Sequence, residues 1–290
     1  HTISRRQRQM CIRDRLISGR FAVVGNPVEH SLSPRIHAAF ARQGRRQIDY
    51  RAERVGVDDF EGWVSAFFNA EGHGLNVTLP FKTRAFDMAD TVSDRARLTG
   101  AANFLTANEA GGIHADNTDG KGLLIDVTAN AGWILEGARI LVLGAGGAVK
   151  GVIPSLLDAS PAALVIANRT AERAEALAAE WAAQPIPVSG GGYEQAAGAP
   201  WDVIINGTST GLSNDMPALP SETVLAEGCC CYDMAYGKGP TPFMRWAVEQ
   251  GARDARDGLG MLVEQAAESF YLWLGEYPNT QLVIADLRQQ

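Results

Sequence analysis

A glycine-rich turn between an apolar segment and a helical segment limits the fold more than any other feature of the sequence. Residues 139–143 form a short apolar run typical of a buried strand, and residues 148–159 have the composition of a helix. Gly144, Gly146 and Gly147 lie between the two segments. A buried strand that passes through such a tight turn directly into a helix predicts a βαβ unit, and therefore a parallel sheet covered by helices.

The same turn has the composition of a phosphate-binding loop. Glycines allow the backbone to approach a pyrophosphate, and the free N–H groups at the helix start bind the anion. The usual dinucleotide-binding pattern has its third glycine at position 149, where this chain has Val149, and Gly151 follows later. A turn with only a structural role is the alternative. The predicted phosphate-binding residues are Gly144, Ala145, Gly146, Gly147 and Ala148.

The end of the next predicted strand, residues 163–168, indicates which dinucleotide is bound. A unit specific for NAD usually has Asp or Glu there, which binds the ribose 2′-hydroxyl. This chain instead has Asn168, Arg169 and Thr170. A second guanidinium, that of Arg173, follows one turn later. Because arginine pairs with phosphate through two hydrogen bonds, the pattern predicts NADP; a solvated helix start that carries arginine is the alternative.

Strand and helix patterns alternate along the chain and predict an α/β fold with two α/β domains. Residues 21–118 and 259–290 would form an N-terminal substrate-binding catalytic domain, and residues 119–258 a Rossmann-like NADP-binding domain. A C-terminal helix at 261–274 would return to the first domain. Ser33 and Pro34 are predicted as the N-cap and first position of the first helix. The predicted strands span 21–25, 48–55, 75–79, 139–143, 163–168, 202–206 and 228–234, and the other helices span 58–69, 82–88, 94–98, 119–131, 148–159, 170–181 and 241–250.

The segment NVTLPFK, residues 76–82, places a lysine just beyond a predicted strand. Pro80 ends that strand because it has no N–H to donate to a neighbouring strand. A lysine beside a nicotinamide can donate a proton to a carbonyl oxygen, and a carboxylate can hold that proton in place. Asp116 and Asp119 lie at the junction of the two domains, where a cleft would open. The alternative is that Lys82 is a surface charge.

Composition disfavours several classes of partner. The 290 residues carry a formal net charge of −7, so no nucleic acid is expected to bind, and the longest apolar runs are too short for a membrane span. Cys229, Cys230 and Cys231 are consecutive, which indicates a buried strand in a reducing cytoplasm; no metal site is predicted. Residues 1–20 are basic and have no clear period, so we expect them to be a non-native or disordered extension.

Eight short motifs, taken together, resemble the shikimate dehydrogenase family in their order and spacing. Any one of them is weak, but together they cover essentially residues 21–275. The motifs are NPVEHSLSP (26–34), NVTLPFK (76–82), GAAN (100–103), NTDG (117–120), GAGGA (144–148), NRT (168–170), YDMAY (232–236) and DGLGMLVEQ (257–265).

The resemblance implies a reaction and a set of site residues. The reaction is the reversible, NADPH-dependent reduction of 3-dehydroshikimate to shikimate, a step of chorismate and aromatic amino acid biosynthesis, with Lys82 and Asp119 as the catalytic pair. Ser33 as a helix cap and Asn103 as a turn residue are the structural alternatives. The residues implied to hold the substrate are Ser31, Ser33, Thr78, Asn103, Asp119, Tyr236 and Gln265. The residues implied to bind NADP are the 144–148 loop, Asn168, Arg169, Thr170, Arg173, Asp94, Met234 and Gly258.

Two positions depart from the family pattern. Phe104 stands where the family often has Thr, and Leu32 stands where Lys is common. Ser-Leu-Ser at 31–33 also suits the related quinate/shikimate dehydrogenases, which accept quinate and often use NAD. Two alternatives therefore stay open: that broader enzyme, or a protein that binds a dinucleotide without catalysis. The sequence does not distinguish a monomer from a homodimer.

Overall fold

The computed structural model describes residues 19–108, 110–208 and 215–289. Residues 1–18 of the expected extension, with Cys11, lie outside the described residues. Gly19 and Arg20 belong to the first strand, where they pair with Ile48 and Asp49, so the expectation is wrong for these two residues. Within the described part of the chain, no helix combines the length and apolar character needed to cross a membrane.

The first of two six-stranded sheets is mixed, with the strand order β2-β1-β3-β5-β6-β4. β1 pairs in parallel with β2 and β3, whereas β5 runs antiparallel to both β3 and β6. The sequence pattern does not predict β4, β5 or β6, which have two to four residues and lack a clear apolar pattern. The strands are β1 (Gly19–Gly25), β2 (Ile48–Arg54), β3 (Gly74–Val77), β4 (Thr91–Val92), β5 (Phe104–Ala107) and β6 (Ile113–Asp116).

The second sheet is entirely parallel, with the strand order β12-β11-β10-β7-β8-β9. The order reverses between β7 and β10, and open α/β sheets bind ligands at the carboxyl ends of the strands at such a point. Cys229, Cys230 and Cys231 are buried free thiols in β11, which confirms the prediction of a buried strand. The strands are β7 (Arg139–Leu143), β8 (Ala163–Ala167), β9 (Val188–Gly191), β10 (Trp201–Asn206), β11 (Leu225–Asp233) and β12 (Asp254–Asp257).

The helices cover both sheets, and the long helix α9 contacts elements of both halves of the chain. It packs against α5 and α1, and its Val263 and Phe270 lie in one apolar cluster with Ile36 and Phe40 of α1. This is the predicted return of a C-terminal helix to the first sheet. The helices are α1 (Ser33–Gln43), α2 (Phe60–Asn69), α3 (Lys82–Asp87), α4 (Asp94–Thr99), α5 (Asp119–Ile125), α6 (Gly147–Asp158), α7 (Ala171–Ala179), α8 (Pro242–Glu249), α9 (Leu259–Leu274) and α10 (Thr280–Arg288), with 3₁₀ turns at Val57–Asp59 and Tyr193–Ala196 and a π-helical turn at Asp126–Asn130.

The start of α1 corrects one prediction. Leu32 is the N-cap and Ser33 is already helical, and the Ser33 side chain does not cap the helix. The Oγ of Ser31 accepts a hydrogen bond from the backbone N–H of Ser33 at 3.2 Å. The predicted cap at Ser33 is therefore wrong by one residue, because Ser31 supplies the acceptor that the end of the helix needs.

His37 of α1 is a buried, uncharged histidine. It is completely buried and stacks on the ring of Tyr50, with ring centroids 4.1 Å apart. Neither ring nitrogen makes a close, well-aligned hydrogen bond among the described residues, and the nearby Asn76 opposes the effect of burial only in part. Burial lowers the pKa of His37 to about 3, since the imidazolium would lose its hydration. The folded protein therefore keeps this side chain neutral at physiological pH.

Acid should destabilise the fold through His37. The unfolded chain binds a proton near pH 6.5 and the folded chain only near pH 3, so stability is lost as the pH falls through this window. At pH 5 the expected loss is about 2 kcal/mol relative to pH 7.5. Denaturant unfolding at both pH values should show this loss in the wild type and in His30→Phe, a surface control. A His37→Phe variant with an unchanged pH dependence would contradict the prediction.

Candidate active site

Lys82 and Asp119 meet at the junction of the two sheets, although they are 37 residues apart in sequence. Lys82 Nζ lies 2.5 Å from Asp119 Oδ2, and the two side chains are 23% and 11% exposed. Lys82 begins α3 directly after Phe81, whose buried ring stacks on Phe60 and anchors the turn that follows β3. Asp119 is the first residue of α5. The structure thus holds an ammonium against a carboxylate, with part of the lysine side chain still exposed.

Asn103 and Gln265 surround the same carboxylate. Asn103 Nδ2 donates to Asp119 Oδ1 at 2.8 Å and lies 3.2 Å from Gln265 Oε1. Thr118, fully buried, donates its backbone N–H to Asn103 Oδ1 at 2.8 Å. Four predicted site residues, Lys82, Asn103, Asp119 and Gln265, are therefore joined by one polar cluster. Such a cluster can hold a small hydroxylated acid, because each polar group of a buried substrate needs a partner.

Asn76 of the NVTLPFK segment is part of the support beneath this cluster. Its Nδ2 donates to Ser269 Oγ at 2.9 Å, and its Oδ1 accepts from the Tyr50 hydroxyl at 2.7 Å. The Nδ2 also donates to the backbone oxygen of Asn103. Sequence reasoning missed Ser269 and Thr118. The signal for Ser269 is its spacing from Gln265, because residues four apart share one face of a helix.

Ser31, Ser33 and Thr78 lie at the carboxyl ends of two paired strands. β1 and β3 pair in parallel up to Val24 and Val77, so the segments that follow them leave the same edge of the sheet. The methyl group of Thr78 packs where a side chain at Gly25 would lie, only 2.4 Å from an ideal Cβ. The structure therefore places the segments that carry Ser31, Ser33 and Thr78 at the same edge of the first sheet, where the chain continues from Thr78 to Lys82.

Tyr236, the remaining residue predicted to hold the substrate, lies just beyond a strand of the second sheet. Tyr236 follows β11, and 42% of its surface is exposed. Partial burial raises the pKa of the Tyr236 phenol above its ordinary value, so its hydroxyl stays protonated at neutral pH. Tyr236 takes no part in the hydrogen bonds that join the lysine cluster in the described residues, so its predicted contact with the substrate stays a prediction.

The predicted phosphate-binding loop, residues 144–148, follows β7 and leaves open space around its glycines. Gly144 has φ +105°, a conformation that favours glycine, and an added Cβ would lie 3.1 Å from the backbone of Gly207. A Cβ at Gly146 or Gly147 would meet nothing within 4 Å. Because Gly147 begins α6, the open space lies at a helix N-terminus with free N–H groups.

The two arginines predicted to bind the 2′-phosphate follow β8 in the chain. Arg169 and Arg173 are both exposed, and neither has an ion pair within the residues that the structure describes. Asn168 is held in place by its backbone N–H, which donates to Gly191 O at 3.0 Å, and its Nδ2 donates to Thr170 O at 2.9 Å. A helix N-terminus that follows β7, with two exposed guanidinium groups that follow its neighbouring strand β8, fits a dinucleotide with a 2′-phosphate.

Of the three further residues predicted to bind the cofactor, two lie close to the 144–148 loop, and the third belongs to the first half of the chain. Met234 and Gly258 are neighbours, since an ideal Cβ at Gly258 would lie 2.2 Å from Met234 O. The Met234 sulfur also lies near Gly207, beside the phosphate loop. Asp94 belongs to the first half of the chain: its side chain is 93% exposed and pairs with Arg97 of its own helix at 2.7 Å.

Asp116, the other carboxylate of the junction, is engaged elsewhere. It is buried and pairs with Arg95, and Arg95 Nη1 also lies 3.0 Å from Glu268 of α9. Lys121 lies 2.6 Å from the same glutamate. These ion pairs tie α4 and α5 to α9, and they leave Asp119 as the carboxylate beside Lys82.

Comparison with known proteins decides the family. Residues 23–105 match the shikimate dehydrogenase substrate binding domain, residues 128–212 the shikimate/quinate 5-dehydrogenase family, and residues 258–288 the shikimate 5′-dehydrogenase C-terminal domain. A shikimate dehydrogenase (NADP(+)) of Alkalilimnicola ehrlichii is 53% identical over 274 residues, which are 94% of this chain and 100% of that relative. The chain belongs to the shikimate dehydrogenase family.

Other relatives and solved structures are similar to this chain in sequence, in fold or in both. A shikimate dehydrogenase (NADP(+)) of Alcanivorax borkumensis is 50% identical, over 95% of this chain and 99% of the relative. The crystal structure of an Ael1 enzyme from Pseudomonas putida has a TM-score of 0.86 and 47% identity, over 93% of this chain and 98% of that one. The shikimate 5-dehydrogenase of Thermus thermophilus, solved with NADP(H) and shikimate, has a TM-score of 0.83 and 33% identity, over 93% and 99% of the two chains.

Phe104, which stands where the shikimate dehydrogenase family often has Thr, is part of the hydrophobic core. Phe104 is 1% exposed and stacks on Trp273 of α9, with ring centroids 5.1 Å apart. Its neighbour Asn103 points into the lysine cluster, because successive residues of a strand face opposite sides. The aromatic side chain therefore packs between β5 and α9 and does not enter the polar cluster.

Close packing of α5 on α9 depends on Gly122. An added Cβ there would lie 2.7 Å from the backbone nitrogen and the Cβ of Gln265. We therefore expect Gly122→Ala to lower the free energy of unfolding by about 1–3 kcal/mol and to displace Gln265. Denaturant unfolding measures the loss. Gly62→Ala in α2, where a Cβ meets nothing within 4 Å, is the matched control and should be neutral or stabilising; a neutral Gly122→Ala would contradict the prediction.

Proposed function

We propose that this chain catalyses the reversible, NADPH-dependent reduction of 3-dehydroshikimate to shikimate. The observation that carries the proposal is the pair formed by Lys82 Nζ and Asp119 Oδ2, 2.5 Å apart, within the polar cluster of Asn103 and Gln265. A protein that only bound a dinucleotide would have no need of this pair. The family membership and the NADP(+) names of the relatives support both the reaction and the cofactor.

The residues of this chain supply binding and the proton. NADPH, when bound along the 144–148 loop, provides the hydride that reduces the carbonyl carbon of the substrate. Lys82 donates a proton to the carbonyl oxygen as the carbon is reduced, and Asp119 keeps the ammonium oriented towards it. Asn103 and Gln265 hold ring hydroxyls, together with Ser31, Ser33, Thr78 and Tyr236. Arg169 and Arg173 hold the 2′-phosphate.

The division of the chain also belongs to this proposal. Residues 21–118 and 259–290 form the substrate-binding catalytic domain, and residues 119–258 form the NADP-binding domain. The two sheets, with α9 packed on α1, support this division. A cytoplasmic location and a monomeric or homodimeric state stay predictions.

Absorbance of the reduced nicotinamide tests the function. Purified protein is mixed with shikimate and either NADP or NAD, and the same wells are repeated with quinate. We expect reduction with shikimate and NADP. Reduction with quinate or NAD would identify the broader quinate/shikimate enzyme that Ser-Leu-Ser at 31–33 also suits. No reduction by folded protein that still binds NADPH would leave only dinucleotide binding.

A further inference from the structure

One buried carboxylate, that of Asp233 at the end of β11, holds three donors. Its Oδ1 accepts from Asn206 Nδ2 and from the backbone N–H of Ala235, each at 3.1 Å. Its Oδ2 accepts from Thr241 Oγ1 at 2.6 Å. Asp233 is 1% exposed, and burial raises the pKa of this carboxyl while the three hydrogen bonds oppose that rise. Neither the motifs nor the proposed mechanism gives Asp233 a role.

These contacts fasten both ends of a single loop, residues 234–240. Ala235 lies near its beginning, and Thr241 follows its end. The loop carries Met234 and Tyr236, one of them predicted for the cofactor and the other for the substrate. Between the two ends the chain is exposed, and a Cβ at Gly237 or Gly239 would meet nothing within 4 Å. The loop is therefore held mainly from its ends, and the carboxylate of Asp233 contacts both.

Thr241 does more at this position than cap a helix. Its Oγ1 accepts from the backbone N–H of Met244 at 3.2 Å, which is the N-cap bond of α8. Capping uses the hydroxyl only as an acceptor. The same hydroxyl donates its proton to Asp233 at 2.6 Å, a bond that links α8 to the end of β11 and that a cap does not require.

Asn206, the partner of Asp233 on β10, extends the contact towards the phosphate loop. Its Oδ1 accepts from the backbone N–H and the hydroxyl of Thr208, at 3.2 Å and 2.7 Å. The backbone of Gly207 and Thr208 in turn packs against Gly144. The Asn206–Asp233 pair thus joins the segment beneath the phosphate loop to the loop that carries Tyr236.

We propose that Asp233 is a positioning residue: through its bond to Thr241 it fixes the 234–240 loop and so holds the Tyr236 hydroxyl ready for the substrate. The inference rests on the proposed function for the role of Tyr236 and on the contacts above for the clamp. Pre-ordering a loop removes an entropy cost that substrate binding would otherwise meet. Loss of the clamp should therefore weaken substrate binding more than it slows turnover.

Thr241→Val removes both the bond donated to Asp233 and the N-cap bond of α8, while keeping the shape of the side chain. We expect the KM for shikimate to rise roughly ten-fold, with kcat and the Kd for NADPH close to those of the wild type. Thr241→Ser keeps both hydrogen bonds, so its KM for shikimate should equal that of the wild type. Asn279→Ala removes an N-cap of the same kind from α10, whose Asn279 Oδ1 accepts from Leu282 N at 3.3 Å, and should leave the KM unchanged. An unchanged KM in Thr241→Val would overturn the inference.

A double-mutant cycle tests whether the effect passes through Tyr236. In a Tyr236→Phe background, Thr241→Val should have little further effect on KM, because the hydroxyl that the clamp positions is already absent. Fully additive effects would overturn the inference.

Trypsin gives a readout that does not depend on the reaction. Lys238 lies in the exposed part of the loop, so cleavage after it should be several-fold faster in Thr241→Val than in Thr241→Ser. Equal cleavage would show that the bond does not hold the loop. Lack of shikimate turnover by the wild type would instead refute the proposed function, and the trypsin comparison would still decide on the clamp.

Discussion

Lys82→Met should lower kcat for shikimate by about 10²–10⁴-fold while the protein still binds NADPH. That range is typical of losing a positioned general acid or base. The pair with Asp119 places the ammonium at 2.5 Å from a carboxylate and only 23% exposed, so water has limited access to replace the lost proton donor. Steady-state kinetics give kcat, and fluorescence titration gives the Kd for NADPH. The Kd should change little, because Lys82 lies in the other half of the chain from the 144–148 loop.

A matched control uses the other half of the chain. Lys150 of α6 forms a comparable pair with Glu180, with Nζ and Oε2 2.8 Å apart. Lys150→Met removes the same charge and the same kind of contact but should leave kcat nearly unchanged, since exposed ion pairs contribute little. Near-normal turnover by Lys82→Met, or an equal loss in both variants, would rule out Lys82 as the proton donor.

The sequence predicts the fold well where apolar periodicity and glycine punctuation are strong. The strand before Gly144 and the helix after it illustrate this, because a buried parallel strand is apolar on both faces. β12, with the sequence DARD, and the short hairpin strands β5 and β6 lack that pattern. They form because a neighbouring strand is already in place, which no local pattern records.

Some residues of the candidate site can likewise be predicted from the sequence, and others cannot. Lys82 and Asp119 are found through motifs, yet their contact across 37 residues of sequence is visible only in the folded chain. In the sequence, Thr118 lies in the NTDG motif without an assigned role, and Ser269 looks like an ordinary surface residue. They are buried because α9 folds back over β3 and β5, which brings polar groups from three segments within hydrogen-bonding distance. Sequence reasoning thus finds groups that touch a ligand more readily than groups that support them.

Arg169→Asp should raise the Kd for NADPH about 100-fold and change the Kd for NADH far less. A hydrogen bond between charged groups contributes about 1.5–3 kcal/mol, and a carboxylate in its place would also repel the 2′-phosphate. NADH lacks that phosphate, so it serves as the internal control for the folding of the pocket. Fluorescence titration of both dinucleotides against the variant and the wild type measures the change.

A control must separate the effect of the changed net charge on NADPH affinity from the effect of losing the contact between Arg169 and the 2′-phosphate. Arg42→Asp makes the same change in formal charge at an exposed position of α1, in the other half of the chain, and should leave both affinities nearly unchanged. If Arg169→Asp weakened NADPH and NADH equally, the loss would come from damage to the loop after β8 and the phosphate pocket would lie elsewhere. A selective loss of NADPH, absent from Arg42→Asp, would place the 2′-phosphate against Arg169, and it would account for the preference for NADP through the absence of a carboxylate at the end of β8.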